Sequence, residues 1–224
     1  MHFEILVEDA SGKLMLEHLV PKIIGKNPYR IMNIQELKHR VMARMPRHLA
    51  RTLPWDDVLF QTLSVTLRAY GRSLPHKNGV VVVVVDLDYH SREKFQQQLE
   101  SLFDRCSPRP PGGVRLAVEE GEAWLLGDPA AVYRAYPLAK KYVIDSYEQD
   151  SVCGTWEVLA DAVFRGGAER LKKNAYPLIG KEKCRWADNI GQYVDAQQNT
   201  SPSFQEFRKL LNELMNSSKN SFLQ

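Results

Sequence analysis

The strongest pattern in the chain is an apolar run, Val80 to Val85, that ends abruptly in Asp86-Leu87-Asp88. Six β-branched residues in succession are stiff at χ1 and favour a strand over a helix. The run contains no polar alternation, so both faces of this strand should be buried, as at the centre of a parallel sheet. The pattern therefore predicts a central strand with two carboxylates at its carboxyl end.

Shorter apolar runs alternate with segments of helical spacing before and after the valine run. We predict further strands at 2–7, 29–37 and 114–118, and helices at 14–24, 58–70 and 91–103. Pro21 falls inside the first of these helices and should kink or divide it. Ser91 is the expected N-cap of the third helix. The order β-α-β-α-β-α-β predicts an α/β fold with a parallel sheet flanked by helices.

The pattern changes after residue 127, because residues 128–224 contain no further strong strand and favour helices. Pro129 after Asp128 has the usual placement of a proline at a helix start. Helices are also predicted at 158–171 and 190–196, and Ser203 to Glu206 fits a capping box that opens the last helix. We therefore expect an α/β core over 1–127 and a largely helical C-terminal extension over 128–224 that packs on it.

The composition is that of a globular protein, with 224 residues, 44% hydrophobic residues and a net charge of +3. A charge this small does not by itself argue for nucleic acid. No apolar stretch reaches the roughly 20 residues of a membrane helix, and the N-terminus has no leader pattern. Three widely spaced cysteines form neither a disulfide framework nor a zinc pattern. We expect a cytoplasmic protein that does not bind a membrane.

Three of the four predicted strands are followed by acidic residues. Glu8 and Asp9 follow the first, Asp86 and Asp88 end the third, and the fourth leads into Glu119, Glu120 and Glu122. Residues two apart on a strand point the same way, so the two aspartates could share one hard cation. Alternatively, they cap the following helix. Clustered carboxylates are costly unless a cation neutralises them, and oxygen ligands suit Mg²⁺ or Mn²⁺.

These residues resemble a known domain. A glutamate after the first strand and an Asp-x-Asp after a hydrophobic strand are similar to the Toprim domain of topoisomerases, primases and overcoming-lysogenization-defect nucleases. The wider chain resembles bacterial Toprim-like proteins that are often encoded beside ATPases. That closer likeness is carried by Ile5-Leu6-Val7-Glu8, by the segment from Ala117 to Leu126, and by Ser201-Pro202-Ser203-Phe204. Asp9 stands where the Toprim glutamate is commonly followed by glycine.

The resemblance implies an enzyme with Mg²⁺- or Mn²⁺-dependent phosphodiester chemistry on nucleic acid. It implies Glu8 as acid/base or metal ligand and Asp86 and Asp88 as catalytic metal ligands, with Glu120 and Glu122 completing a second metal position. It also implies DNA rather than RNA as substrate, and an ATPase partner in defence against foreign DNA. Glu122 and Trp124 have structural interpretations as well, as a favourable charge at a helix start and as a core residue.

Candidate contacts to nucleic acid are basic residues and a histidine: Lys13, His90, Lys181, Lys183 and Arg185. Such residues could hold a polyanionic backbone, or they could form solvated helix and loop surfaces. The basic segment 38–57 has the same two interpretations. Two other functions remain open: a non-catalytic Toprim-fold interaction module, and a metal-dependent nucleotide-sugar transferase, in which Asp-x-Asp would hold the metal of the diphosphate.

Overall fold

The computed structural model of the protein describes residues 1–42, 54–151, 154–173 and 176–220. These residues contain one sheet of four parallel strands in the order β2-β1-β3-β4. The strands are β1 (His2–Val7), β2 (Tyr29–Asn33), β3 (Gly79–Asp86) and β4 (Gly112–Ala117). The predicted α/β fold is confirmed, and the valine strand is β3, with β1 and β4 as its hydrogen-bonded neighbours.

Helices cover both faces of this sheet. In the first half of the chain they are α1 (Ala10–Ile24), α2 (Ile34–Met42), α3 (Trp55–Ser73), a short 3-10 turn (Pro75–Lys77) and α4 (Arg92–Asp104). In the second half they are α5 (Glu122–Leu126), α6 (Pro129–Ala135), α7 (Lys141–Asp145), α8 (Thr155–Val163), α9 (Gly167–Lys172), α10 (Tyr176–Gly191) and α11 (Pro202–Asn220). None of the helices within the described ranges is both long and apolar enough to cross a membrane.

The valine strand divides its side chains between two hydrophobic clusters, which explains why its sequence does not alternate. Val80, Val82 and Val84 lie in a cluster with α1 and most of the later helices. Val81, Val83 and Val85 lie on the other face, against α2, α3 and α4. All six are at most 7% exposed. The sheet is thus the middle of three layers.

The helical second half shares its core with the sheet. Trp124 is fully buried, as its structural interpretation predicted, and it packs against Phe204 and Phe207 of α11. Trp186 of α10 and Ile5 of β1 belong to the same cluster. Residues on both sides of position 127 therefore form one hydrophobic core.

Several predicted boundaries in the first half of the chain are wrong. The second strand ends at Asn33, and Ile34 and Leu37, which fit a strand pattern poorly, follow helical spacing within α2. Pro21 does not divide α1, which runs through it. Ser91 precedes α4 as predicted, but its side chain makes no capping hydrogen bond. The basic segment 38–57 lies partly in α2 and α3, and its residues 43–53 are outside the described residues.

The predicted helix at 158–171 is instead two helices. Phe164 has an extended backbone after α8, and Gly166 and Gly167 follow with φ of 95° and 69°, so the chain cannot continue as a helix. Of the predicted helix at 190–196, only Ile190 and Gly191 are helical, as the last two residues of α10, and residues 192–196 follow the helix. Glycine is a common residue at the end of a helix, where it permits the chain to turn.

The last helix begins two residues earlier than predicted. Pro202 takes its first position, and Ser201 Oγ accepts from the backbone N–H of Phe204 at 3.3 Å. Ser203, the predicted cap, therefore lies inside the helix. Its hydroxyl accepts from the buried indole N–H of Trp124 at 2.9 Å. The Ser-Pro-Ser-Phe motif thus joins α11 to the core.

Candidate active site

The acidic residues lie where the strand order changes direction. The chain passes from β1 to β2 on one side and then returns to β3 on the other side of β1. In open α/β sheets, ligands bind in the crevice outside the carboxyl ends of the strands at such a switch point. Glu8 follows β1, and Asp86 ends β3. We call the carboxylates of Glu8, Asp86, Asp88, Glu120 and Glu122 the acidic edge.

Glu8 is held by a donor on each carboxylate oxygen. The backbone N–H of Asp86 donates to Glu8 Oε2 at 3.2 Å, across the crevice between β1 and β3. The indole Nε1 of Trp55 donates to Glu8 Oε1 at 2.7 Å. Burial raises the pKa of Glu8 to about 7, although both donors act to lower it. A carboxyl group with a pKa near neutrality is suited to accept and return a proton at physiological pH.

Asp9, which departs from the glycine expected from the resemblance to Toprim domains, is the N-cap of α1. Its carboxylate accepts from Gly12 N at 2.7 Å and from Ser11 Oγ at 2.8 and 2.9 Å. A side chain that accepts from the first-turn N–H groups stabilises a helix start. Asp9 therefore has a structural task in the turn that follows Glu8.

Asp86 and Asp88 differ in backbone conformation and in solvent exposure. The strand ends at Asp86, so strand alternation does not orient Asp88, whose φ is 45°. The backbone N–H of Asp88 donates to Glu119 O at 2.9 Å, which keeps the turns after β3 and β4 together. Asp86 is half-buried and Asp88 is exposed. Desolvation raises the pKa of both carboxyls, and the charge of Glu8 adds to the rise at Asp86, whereas Glu120 adds to it at Asp88.

The glutamates after β4 connect the sheet to the helical second half. Glu119 is buried at φ 71° and accepts from the hydroxyl of Tyr147 at 3.4 Å. Glu120 Oε2 accepts from Thr155 Oγ1 at 3.2 Å and from the backbone N–H of Trp156 at 3.1 Å, at the start of α8. Glu120 therefore caps a helix in addition to lying at the acidic edge.

Lys183 supplies a positive charge within the acidic edge. Its Nζ lies 3.1 Å from Glu122 Oε2 and 3.8 Å from Glu120 Oε1, and its side chain is 14% exposed. Burial acts to lower the pKa of Lys183, but the carboxylates of Glu122, Glu120 and Asp86 outweigh it and raise the pKa. Burial raises the pKa of Glu122 to about 7, against the opposing effect of Lys183. Lys183 is thus an ammonium ion that neutralises part of the cluster.

The acidic edge fits Mg²⁺ or Mn²⁺ in the type of its donors. All of them are carboxylate oxygens, and the pKa of Asp86 is raised in part by the charges of Glu8 and Glu122, a repulsion that a cation relieves. In the part of the chain that the structure describes, however, no three His, Cys, Asp or Glu side chains are grouped so that they could hold one metal ion. The donors fit a hard cation in kind, and binding it requires them to move closer together.

The residues predicted to bind nucleic acid lie in several places. Lys183 is within the acidic edge. His90 is near it, with its ring stacked on Phe95 at 4.3 Å between centroids and its Nε2 3.6 Å from Asp56 Oδ2.

The other three predicted contacts lie on helices α1 and α10. Lys13 follows the N-cap of α1 and is half-buried, and Lys181 of α10 is exposed. Arg185 is paired with Glu182 at 3.2 Å, one turn before it on the same helix. The five residues therefore come from the turn after β3 and from the two helices α1 and α10.

Trp55 was not predicted to belong to the site. It is the first residue of α3 and is 47 positions away from Glu8 in the chain. No motif or spacing links the two residues, so the sequence pattern could not reveal their contact. A tryptophan directly before two aspartates, in an otherwise basic segment, is the only local indication that this helix start is unusual.

The chain was compared with family models, with curated proteins and with solved structures, and none of the three comparisons gave a match. The functional interpretation therefore rests on the chain's own motifs and on the geometry of its acidic edge.

Proposed function

We propose that the acidic edge carries out Mg²⁺- or Mn²⁺-dependent phosphodiester cleavage or transfer on nucleic acid, as a Toprim-like enzyme that acts on DNA rather than RNA. One observation carries this proposal: the Glu8 carboxylate accepts from Asp86 across the switch-point crevice. Ligand sites and catalytic groups concentrate at this position in α/β sheets. The raised pKa of Glu8 supports a role in proton transfer.

Each group has a distinct role in this proposal. Asp86 and Asp88 would hold the metal, with Glu120 and Glu122 in a second position, and the metal would neutralise phosphate charge and orient the reacting oxygens. Glu8 exchanges a proton with the attacking or leaving oxygen. Lys183 keeps a positive charge beside Glu122, where it balances the carboxylates and attracts a phosphate group.

The cellular context belongs to the same proposal and is supported by the resemblance and the composition. We infer an ATPase as protein partner, a role in defence against foreign DNA, and a cytoplasmic location. The free thiols of Cys106 and Cys184 are compatible with a reducing compartment.

The direct test is cleavage of labelled single- and double-stranded DNA and RNA by the purified protein, with Mg²⁺, Mn²⁺ or EDTA. We expect metal-dependent cleavage of DNA that Asp86→Asn abolishes. The matched control is Asp104→Asn, because Asp104 is an exposed residue paired with Arg109 away from the acidic edge. Equal behaviour of wild type and Asp86→Asn would contradict the catalytic proposal.

A non-catalytic interaction module is the second candidate, and the ion pairs of Lys183 favour it. An ammonium already placed against Glu122 and Glu120 removes part of the need for a metal. A metal titration separates the two candidates. If the site binds a metal, Mn²⁺ should raise the thermal midpoint of the wild type but not that of Asp86→Asn. The module is favoured if the wild type neither responds to the metal nor cleaves nucleic acid.

A further inference from the structure

Trp55 contacts Glu8 through its single hydrogen-bond donor. The residue is partly buried, and its indole N–H donates to Glu8 Oε1 at the short distance of 2.7 Å. The other oxygen of Glu8 accepts from Asp86 N. A carboxylate with one fixed donor on each oxygen has a defined orientation, whereas a single donor leaves it free to rotate.

The start of α3 has further contacts besides the one from Trp55 to Glu8. The Lys38 ammonium lies 5.3 Å from the centroid of its ring. The next residue, Asp56, lies 3.6 Å from His90 in the turn after β3. The start of α3 therefore contacts groups near both β1 and β3, the two strands that form the crevice.

We propose that Trp55 is a positioning residue of the acidic edge, whose indole N–H fixes the Glu8 carboxylate against the end of β3. This inference rests on the proposed function, in which Glu8 exchanges a proton with the substrate. Removal of the N–H leaves Glu8 held only by the longer bond from Asp86. Glu8 can then rotate away from the reacting oxygen, and the fold is retained.

The test is Trp55→Phe, which removes the N–H donor and keeps an aromatic ring under Lys38. We expect kcat for the metal-dependent cleavage to fall roughly 10- to 100-fold, with KM little changed, because partners that orient a metal-site group typically have effects of this size. Lys38→Gln is the matched control, because it removes the cation above the ring and keeps the N–H.

A spectroscopic measurement tests the contact without changing Trp55. In ¹⁵N-labelled protein, the assigned indole N–H resonance of Trp55 should move when Glu8 is replaced by Gln, whereas the buried indoles of Trp124 and Trp186 should be unaffected. An unmoved Trp55 resonance would overturn the inference, even if Trp55→Phe failed to fold.

The kinetic outcomes separate this inference from the proposed function. An active wild type whose kcat is unchanged in Trp55→Phe overturns the positioning role alone. A wild type that neither binds metal nor cleaves nucleic acid overturns both. If kcat falls as much in Lys38→Gln as in Trp55→Phe, the effect comes from the contact between the ring and its cation. That result would also overturn the role of the N–H.

Discussion

Glu122 shows how strongly a single buried position can alter a carboxyl group. It is 3% exposed, and its nearest described opposite charge is Lys183, which lies 3.1 Å away. The transfer of a carboxylate from water is costly, and one ion pair in a partly dry site does not always repay that cost. Burial accordingly raises the pKa of Glu122 to about 7 from its ordinary value of 4.5. Glu122 is therefore partly protonated near neutral pH, unless a further cation arrives.

This raised pKa predicts a pH-dependent stability. The folded protein binds a proton at Glu122 more tightly than the unfolded chain does, so the stabilisation is fully present below pH 4.5 and is lost as pH rises through about 7. The variant Glu122→Gln has no ionisable carboxyl group at this position, so it lacks this pH dependence. We therefore expect the free energy of unfolding of the wild type to decrease relative to that of the variant across this interval, in urea titrations with EDTA.

The control for this prediction is Glu100→Gln, because Glu100 is exposed on α4. Its free energy of unfolding should stay parallel to that of the wild type at every pH. Parallel curves for Glu122→Gln and the wild type would show that the carboxyl of Glu122 has an ordinary pKa. A second comparison with Mn²⁺ in place of EDTA tests the proposed site, since a bound cation favours the ionised carboxylate and should reduce the difference.

At the scale of single residues, the sequence indicated which acids would meet but not how they are held. The carboxyl ends of parallel strands lie at one edge of a sheet, so Glu8, Asp86 and the glutamates after β4 could be grouped from their positions alone. The positive φ of Asp88 and the helix cap at Asp9 depend on the turn geometry. The placement of Lys183 among carboxylates depends on how α10 packs, and no local pattern encodes that packing.

Acidic side chains that start helices are a recurrent feature at the scale of elements. Asp128 accepts from Ala131 N at the start of α6, and Glu120 accepts from Trp156 N at the start of α8. Asp150 reaches the start of α11 from a distant loop, where its Oδ2 accepts from Ser203 N at 2.7 Å and its Oδ1 from Ser201 Oγ at 3.1 Å. Carboxylates at helix N-termini satisfy free N–H groups and complement the helix dipole.

Asp150 provides a test of this element-level arrangement. Asp150→Asn tolerates the φ of 56° at this position but replaces one acceptor oxygen by a donor, so one of the donors at the start of α11 loses its partner. We expect the free energy of unfolding to fall by about 1–3 kcal/mol, the usual cost of an unsatisfied buried group. Chemical denaturation followed by tryptophan fluorescence measures it, because Trp124 donates to Ser203.

The control for Asp150 is Asp145→Asn. Asp145 is exposed and accepts a surface hydrogen bond from Tyr133 OH, so its substitution should change the free energy of unfolding by less than about 0.5 kcal/mol. Equal, small effects of both substitutions would mean that α11 does not depend on the loop carboxylate for its start.

Helices and strands with strong apolar periodicity were predicted well. Those whose bounds depend on tertiary contacts were not. The valine strand and α1 followed from β-branching and from apolar spacing. The division of 158–171 into α8 and α9 depends on Gly166 and Gly167 in left-handed conformations, with the side chain of Asp161 accepting from Ala168 N. All of α10 before Ile190 was missed, because the apolar spacing is clear only in its second half, around Trp186 and Ile190.

At the scale of the whole molecule, the second half of the chain completes the sheet rather than forming a separate unit. The face of β1 and β3 that carries Ile5 and Val82 is covered by α1 together with the later helices. Lys22 of α1 donates to three backbone carbonyls at and just beyond the end of α10, those of Gly191, Gln192 and Val194, at 2.8–2.9 Å. Lys183, which balances the acidic edge, also comes from α10. The hydrophobic core and the candidate active site therefore both contain residues from the two halves of the chain.

This shared core predicts that the segment 1–127, which the sequence pattern delimits as an α/β core, does not fold alone. Without α10 and α11, the part of this sheet face that α1 does not cover and the fully buried Trp124 would be open to water. Each large apolar side chain so exposed forfeits about 1.5–3 kcal/mol, and a few of them exceed the 5–15 kcal/mol stability of a typical domain. We expect the fragment to lack near-ultraviolet circular dichroism and dispersed amide resonances. Co-expression with 128–224 should restore both signals, since the covalent link at 127 adds no contact of its own. Cooperative unfolding of 1–127 alone would contradict the prediction and would show that the α/β half is stable without the helical half.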